Sequence, residues 1–525
     1  MSFLKHKRSV DDIWPVRGKR VLIRVDFNIK INDGKIAKKD QRISAAIPTI
    51  RRITDQGGIC ILMSHMGRPT GHKYSALKSD QAKRQRYLDV WKDEKGAGYT
   101  IFFSILSGES KKMILGWSSL ARGAKDLSEV EGAGKTDLFA SLSNEEKKIL
   151  LRRYQNGIND ASFPQLRQYT GFDDELTLRP VASRLHELLN ADPSKPPVYV
   201  QFAEDCMNAK DMVTSLLPGQ VLLLENLRFY SDENSCIESE RLDIAQKLAS
   251  YGDIFISDVF GTSHRRYSAS TVELPSVIGH GCCGYLLKKE IESYVSLLGN
   301  TPRPMLAIVG GAKLNDKISL LEHILGKIDT LLIGGAMAYT FLKVAGFEIA
   351  NSFHESGQSF VDKYGEKRNI DELAQNFLTK AKESNVQVLL PVDHICHTSC
   401  EGTDSPLITE TAHIPNGYMG LDIGPTTIKL YRKCISQSRT CFWSGPMGVF
   451  EIPTFATGSF SIAKGMGDGT QDRGLLSIIG GGASADAARM SGHASRVCHV
   501  SSCGAACLDL LKGKVLPGID ALDDL

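Results

Sequence analysis

Two doubly wound α/β lobes on parallel sheets, joined by a hinge helix, are predicted by three features of the sequence. Short aliphatic runs recur through both halves, stretches of helical periodicity separate them, and 525 residues exceed what one ordinary core encloses. The runs fall at 21–25, 59–64, 221–224, 254–257, 305–309, 331–334, 388–392, 442–444 and 475–479. Such segments suit strands buried on both faces, the condition of a parallel sheet. Between the first two runs, Ile43, Ala46, Ile47, Ile50 and Ile53 mark one face of a helix, completing a strand-helix-strand unit.

Residues 76–175 break this rhythm. Their charges are mixed in sign, so the stretch reads as an inserted element rather than a linker. Ser143 with Glu146 makes a capping-box pattern, residues 145–155 are rich in helix formers, and Gly157 can end that helix. Near the midpoint, residues 285–298 read as a helix, and Pro302 and Pro304 lead into a new strand. The expected organisation is an N-terminal lobe over 1–284 carrying the insertion, a hinge helix over 285–300, a C-terminal lobe over 301–513, and a tail over 514–525 returning to the first lobe.

Composition narrows the function classes. Hydrophobic residues make up 42% and charged residues 23%, the balance of a globular protein. No apolar run approaches the ~18 residues that a membrane span needs. A net charge of +3 is small for this length, so bulk attraction to nucleic acid or membrane is not implied, and any anion site must be local. The 12 cysteines are scattered without a dense framework, which points to a reducing compartment. The opening MSFLKHKRSVDD lacks the apolar core of a secretory signal, and Asp523-Asp524-Leu525 is not a Ser-Lys-Leu peroxisomal ending.

Four segments put polar or basic residues directly after strand runs of the first half, where ligands gather in α/β sheets. They contain Asp26 and Asn28, His65 and Arg68, Arg228, and His264 and Arg265; Arg42 opens the first helix. A phosphorylated acid bearing about three negative charges needs such a set, because guanidinium forks hold phosphate in bidentate pairs. Single arginines are ordinarily surface ion-pair partners; recurrence at strand ends favours the pocket. In the second half, Gly310-Gly311-Ala-Lys313-Leu-Asn-Asp-Lys317 follows a strand and precedes a helix. A glycine turn there lets backbone approach a phosphate, and the spacing puts both lysines on one helical face.

The ordered set RVDFN, QRISAAIPTI, LMSHMGRP, LLLENLRF, DVFGTSHR, KKE, GGAKLNDK, GGAMAYTFL, MGLDIGP, SGPMGVFE and IIGGGASA resembles the motifs of the phosphoglycerate kinase family. It spans nearly the whole chain outside 76–175. The resemblance implies an N-terminal lobe for 3-phosphoglycerate, a C-terminal lobe for Mg2+-ATP or Mg2+-ADP, and direct in-line transfer that also makes or consumes 1,3-bisphosphoglycerate. It implies that Asp26 and Asn28 bind the glycerate hydroxyl side, that His65, Arg68, Arg228 and Arg265 clamp its phosphate, and that Arg42 meets the reacting carboxyl. Lys313 would face the transferring phosphoryl and Lys317 the inner phosphates, Gly311 would belong to the turn that approaches the nucleotide, Gly334 and Gly335 to the adenine pocket, and Glu451 would meet the ribose. Gly481, Gly482, Ser484 and Gly504 would belong to the phosphate turns. A monomer without nucleic-acid or membrane partners is expected. The insertion resembles that of the long kinetoplastid form of the family, which implies a glycosomal location, the cytoplasm being the alternative.

Three nucleotide-side positions depart from the family pattern. Ala483 replaces the aspartate expected to ligate Mg2+, so no metal ligand is expected from the chain. Cys503 and Ala505 replace glycines in the loop 501–507, with a strain of order 1 kcal/mol each if those positions need positive φ. Ser444 stands where the family commonly has Asn. Reduced turnover is one consequence, and a weakened paralogue serving as a binding or scaffold protein is the rival reading. Other patterns carry less. Gly132 to Thr136 resembles the end of a P-loop, but position 129 is Glu and no buried strand leads into it. Neither His394, Cys396, His397 and Cys400 nor Cys498, His499, Cys503 and Cys507 has a standard zinc spacing.

Overall fold

The computed structural model describes residues 7–29, 31–32, 35–36, 41–69, 176–299, 301–361, 367–401 and 405–525. The inserted stretch, with its expected helix at 145–155, lies outside the described residues. The described chain divides into two compact units. An N-terminal unit takes Val10–Asp258 with Tyr267–Cys282; a C-terminal unit takes residues 7–9 with Val259–Arg266 and Cys283–Leu525.

In the N-terminal unit a six-stranded sheet has strands β1 (Arg20–Val25), β2 (Ile59–Met63), β3 (Val200–Ala203), β4 (Val221–Leu224), β5 (Ile254–Asp258) and β6 (Gly281–Cys283) in the order β3-β4-β2-β1-β5-β6. The β1–β2, β1–β5, β2–β4 and β3–β4 pairings are parallel. All five residues of β2 and all four of β4 are buried, as the apolar runs require. Helix α1 (Gln41–Thr54) buries Ile43, Ala46, Ile50 and Ile53. Helices α2 (Arg179–Leu189) and α3 (Glu238–Ala249) follow later in the unit. In register, Arg24 stands opposite both Met63 and Ser257, so the chain leaves three adjacent strands at one edge.

The C-terminal unit contains helix α4 (Tyr285–Leu298) and repeats the plan with β7 (Met305–Val309), β8 (Thr330–Ile333) and β9 (Gln387–Leu389). Strands β10 (His394–His397), β11 (Leu407–Ile408) and β12 (Met419–Ile423) form a separate antiparallel sheet, ordered β11-β10-β12. Then come β13 (Thr440–Ser444), β14 (Leu476–Gly480) and β15 (His499–Val500), and the parallel sheet runs β9-β8-β7-β13-β14-β15. Its order reverses between β7 and β13, which opens a crevice at their carboxyl ends. Around them lie α5 (Ile318–Ile324), α6 (Met337–Val344), α7 (Ile370–Glu383), α8 (Pro425–Gln437), α9 (Thr457–Arg473), α10 (Gly482–Met490) and α11 (Gly504–Leu511). Trp443, Tyr431, Ile462 and Met466 are among the core side chains. No helix among the described residues is long and apolar enough to cross a membrane.

Candidate functional site

Asp26 and Asn28 follow β1, His65 to Arg68 follow β2, and Arg228 follows β4, so the N-terminal unit gathers them at one sheet edge. Asp26 is buried, and Nη1 of Arg42, near the start of α1, lies 2.8 Å from each of its carboxylate oxygens. Among the described residues, Nε and Nη2 of Arg42 take no partner, and its side chain is 41% exposed. The Asn28 side-chain oxygen accepts from the Gly67 N–H at 2.9 Å, tying the turn after β1 to the turn after β2. Arg228 donates to the Gly67 carbonyl at 2.7 Å and to Asn234 at 3.1 Å. Arg68 is exposed and takes no partner among the described residues.

His65 is held from beneath. Nη2 of the buried Arg24 lies 3.1 Å from His65 Nδ1, while Arg24 also donates to Ser270 Oγ at 2.9 Å and to the Val25 carbonyl at 2.7 Å. A guanidinium has only donors, so Nδ1 must accept and the imidazole proton resides on Nε2. Beneath Arg24, the wholly buried Glu233 accepts from Ser268 and Ser270 hydroxyls at 3.0 and 2.6 Å. Burial raises its carboxyl above the usual range, an effect opposed chiefly by the Arg24 charge.

Sequence reasoning missed the residue that stitches these turns together. Asn226 is fully buried; its oxygen accepts from Met66 N–H and Arg228 N–H, and its amide donates to the Met66 and Leu176 carbonyls. Glu225 accepts from Thr177 Oγ1 and the Leu178 N–H at 2.6 and 2.8 Å. The chain that leaves after residue 69 is thus anchored again at 176–178 beside its point of departure: a Cβ on Gly67 would stand 2.6 Å from the Leu176 side chain. A buried Asn one residue past a strand was the available signal.

Arg265 lies in Val259–Arg266, which belongs to the C-terminal unit. In that unit the turns after β7, β8, β13 and β14 meet. Gly310 N–H donates to the Ser444 carbonyl and Gly311 N–H to the Pro446 carbonyl, both at 3.0 Å, and Gly335 N–H to Met447. Gly335 sits at φ +67°, where a Cβ would come within 2.5 Å of Gly311 N. Gly335→Ala is therefore expected to lower unfolding stability by at least about 2 kcal/mol, left-handed strain plus a backbone clash, measured by denaturant titration. An unchanged midpoint would mean that the turns separate freely.

Lys317 is largely buried, and its Nζ donates to Ser444 Oγ at 3.1 Å. Burial lowers its pKa from the usual value. Here the structure corrects the expected geometry: α5 begins at Ile318, so Lys313 lies in the preceding loop and Lys317 caps the helix instead of sharing a helical face with it. Lys313 is exposed. Ser484 accepts from Gly445 N–H at 2.6 Å and donates to the Gly480 carbonyl at 3.1 Å, closing the turn through Gly481, Gly482 and Ala483 that opens α10. Ala483 and Glu451 are exposed.

Helix α11 starts at Gly504, so near Gly481 that a Cβ would lie 2.8 Å from Gly481 Cα. Its approach loop is tied to α4, where Glu290 accepts from Ser502 N–H and O–H at 2.7 Å and lies 2.7 Å from His499 Nε2. Cys503 caps α11 in extended backbone at φ −147°, and Ala505 is helical. Neither is among the residues with positive φ, so the condition for strain at these replacements is not met.

Two anion-ready edges on two parallel-sheet units find their counterpart among known proteins. The family profile described as Phosphoglycerate kinase matches residues 10–514. The glycosomal phosphoglycerate kinase of Trypanosoma congolense is 51% identical over 524 residues, covering 100% of this chain and 98% of that protein. A cytosolic phosphoglycerate kinase of the same organism is 43% identical over 521 residues, covering 99% of each. The solved phosphoglycerate kinase of Coxiella burnetii superposes with a TM-score of 0.67 at 28% identity, covering 98% of each chain. The chain belongs to the phosphoglycerate kinase family.

Proposed function

We propose that the chain transfers a phosphoryl group reversibly between ATP and 3-phosphoglycerate. In the forward sense a carboxylate oxygen of 3-phosphoglycerate attacks the γ-phosphorus, the bond to the β,γ-bridging oxygen breaks, and ADP and 1,3-bisphosphoglycerate result. The observation that carries this reading is unspent donor capacity at the edge of the N-terminal unit. Arg42 keeps Nε and Nη2 after binding Asp26, and Arg68 keeps its whole guanidinium among the described residues.

Asp26 and Asn28 then take the hydroxyl side of the glycerate, and His65, Arg68, Arg228 and Arg265 its phosphate. Arg42 meets the carboxyl and the charge that moves during transfer. On the nucleotide side, Lys313 faces the transferring phosphoryl, Lys317 the inner phosphates, the Gly311 turn the nucleotide backbone-on, Gly334 and Gly335 the adenine, and Glu451 the ribose. Gly481, Gly482, Ser484 and Gly504 shape the turns at the N-termini of α10 and α11, whose free N–H groups suit phosphate. Helix α4 is the hinge in this reading.

The family's reaction uses Mg2+, which when bound neutralises phosphate charge. The donor set of this chain does not fit a protein-held ion. The Ala483 side chain offers no oxygen at the position where the ligand is expected.

We assign the chain to the glycosome, because its glycosomal relative is more similar than the cytosolic one; a fluorescent fusion that stays cytoplasmic in a kinetoplastid cell would refute this. The insertion is dispensable for chemistry, since every residue invoked lies outside 76–175 and the chain re-enters beside Gly67. Joining Ser75 to Leu176 through a short linker is expected to leave 3-phosphoglycerate affinity within about threefold, by calorimetry. Loss of affinity in the folded deletion protein would make the insertion part of the pocket. The reading as a whole is tested by a coupled assay for ATP-dependent phosphorylation of 3-phosphoglycerate. Binding of both ligands without turnover would favour the scaffold paralogue.

A further inference from the structure

At the nucleotide-side edge of the C-terminal unit the carboxylates near the phosphate turns are already engaged: the buried Glu355 accepts from the Asn315 N–H at 3.1 Å. Lys317, the partly buried ammonium of this edge, hydrogen-bonds a neutral hydroxyl, Ser444 Oγ at 3.1 Å, and no ion pair forms on it among the described residues. Burial is the main influence on its charge and disfavours it; the neighbouring Asp316 favours it and Lys512 opposes it. Helices α10 and α11 both begin here, at Gly482 and Gly504, with the turns before them in contact. The one position in the first turn of α10 where the family pattern puts a carboxylate is the exposed Ala483. Asp486, one turn on, is exposed and paired with Arg489 at 2.8 Å. The adjoining Glu290 is buried and already committed to Ser502 and His499.

We propose that this chain neutralises nucleotide phosphates with its own lysine and helix ends and holds no Mg2+ through a side chain, so that it accepts metal-free ADP about as readily as Mg2+-ADP. The inference rests on the nucleotide site proposed above and gives that site its ligand form. A doubly charged ion brought next to Lys317 meets like charge, offset only by the exposed Asp316 beside it. Without Mg2+, the diphosphate presents its full negative charge to the ammonium and to the unsatisfied N–H groups of both helix ends. Mg2+ keeps several waters and leans on substrate phosphates, so it can still ride on the nucleotide, but the chain adds nothing to that contact.

Calorimetric titration of the full chain with ADP, once in excess Mg2+ and once in EDTA, tests this without relying on turnover. The two dissociation constants are expected to agree within about threefold. In Ala483→Asp the carboxylate should weaken metal-free ADP and hold the ion, so that Mg2+ improves affinity by about tenfold or more. Lys317→Met should weaken metal-free ADP about tenfold more than Mg2+-ADP, a change of ratio that a merely structural loss would not produce. A parent protein that needs Mg2+ for a tenfold or larger share of its affinity overturns the proposal. A flat ratio in Ala483→Asp overturns the assignment to position 483. Absence of ADP binding under either condition, in protein that unfolds cooperatively, overturns the nucleotide site as well as this inference. Binding with a strong Mg2+ requirement overturns only the inference.

Discussion

Replacing Arg42 with Met is expected to lower kcat roughly 100- to 1,000-fold, the range for removing one preorganised donor from a transition state. The expectation follows from how Arg42 is held. Its Nη1 is fixed between both oxygens of Asp26 at 2.8 Å, so the rest of the guanidinium is aimed without further ordering when charge moves. Affinity for 3-phosphoglycerate should change far less, because its phosphate is gripped by other residues in this reading. Arg42→Lys is expected to rescue little. One ammonium cannot keep the bridge to Asp26 and also present a second planar edge to the ligand. Steady-state kinetics with both substrates varied gives the split between kcat and KM. A kcat within threefold of the parent would remove Arg42 from the reaction centre.

The elements that were legible in the sequence are those whose burial is two-sided. Strand β7 is wholly apolar and wholly buried, and its bounds could be read residue by residue. The strands that escaped were β3, which is buried only at Ala203, the short β6 and β15, and β10, β11 and β12 of the antiparallel sheet. Strands of two or three residues are too short to show a period, edge strand β3 is only partly buried, and β10 is buried but carries two histidines, so no apolar run marks them.

The same limit applies to the candidate site. Residue types at strand ends pointed to Asp26, His65, Arg68 and Arg228, because topology sends the carboxyl ends of parallel strands to one edge. Their partners were not legible. Arg24 and His65 are separated by 41 positions, Lys317 and Ser444 by 127, and nothing local encodes either bond. The lysine pair shows a subtler failure. Spacing by four implies one face only once a helix is in place, and α5 begins after both residues. Nor does a replaced glycine by itself imply strain: Cys503 is extended and Ala505 helical, backbone that any residue adopts.

The support beneath His65 should be as costly to remove as any residue that touches substrate. Arg24→Met is expected to destabilise the fold by about 3–5 kcal/mol, the range for breaking a buried charge arrangement from one side. Arg24 is 1% exposed; its loss strands the acceptors at Ser270, Val25 and His65 and leaves Glu233 without its main opposing charge. The pH dependence has a definite sign. A carboxyl whose folded pKa is raised binds more protons folded than unfolded, so stability falls as pH rises from its unfolded pKa toward its folded one. In Arg24→Met that folded pKa rises further, so the deficit should be smaller at pH 5 than at pH 8. Glu233→Gln in the Arg24→Met background removes the stranded charge and should recover part of the loss, a coupling readable in a double-mutant cycle. Denaturant unfolding at the two pH values measures both effects. Additive single-site losses with no pH difference would show that Arg24 acts on neither Glu233 nor the charge balance around it.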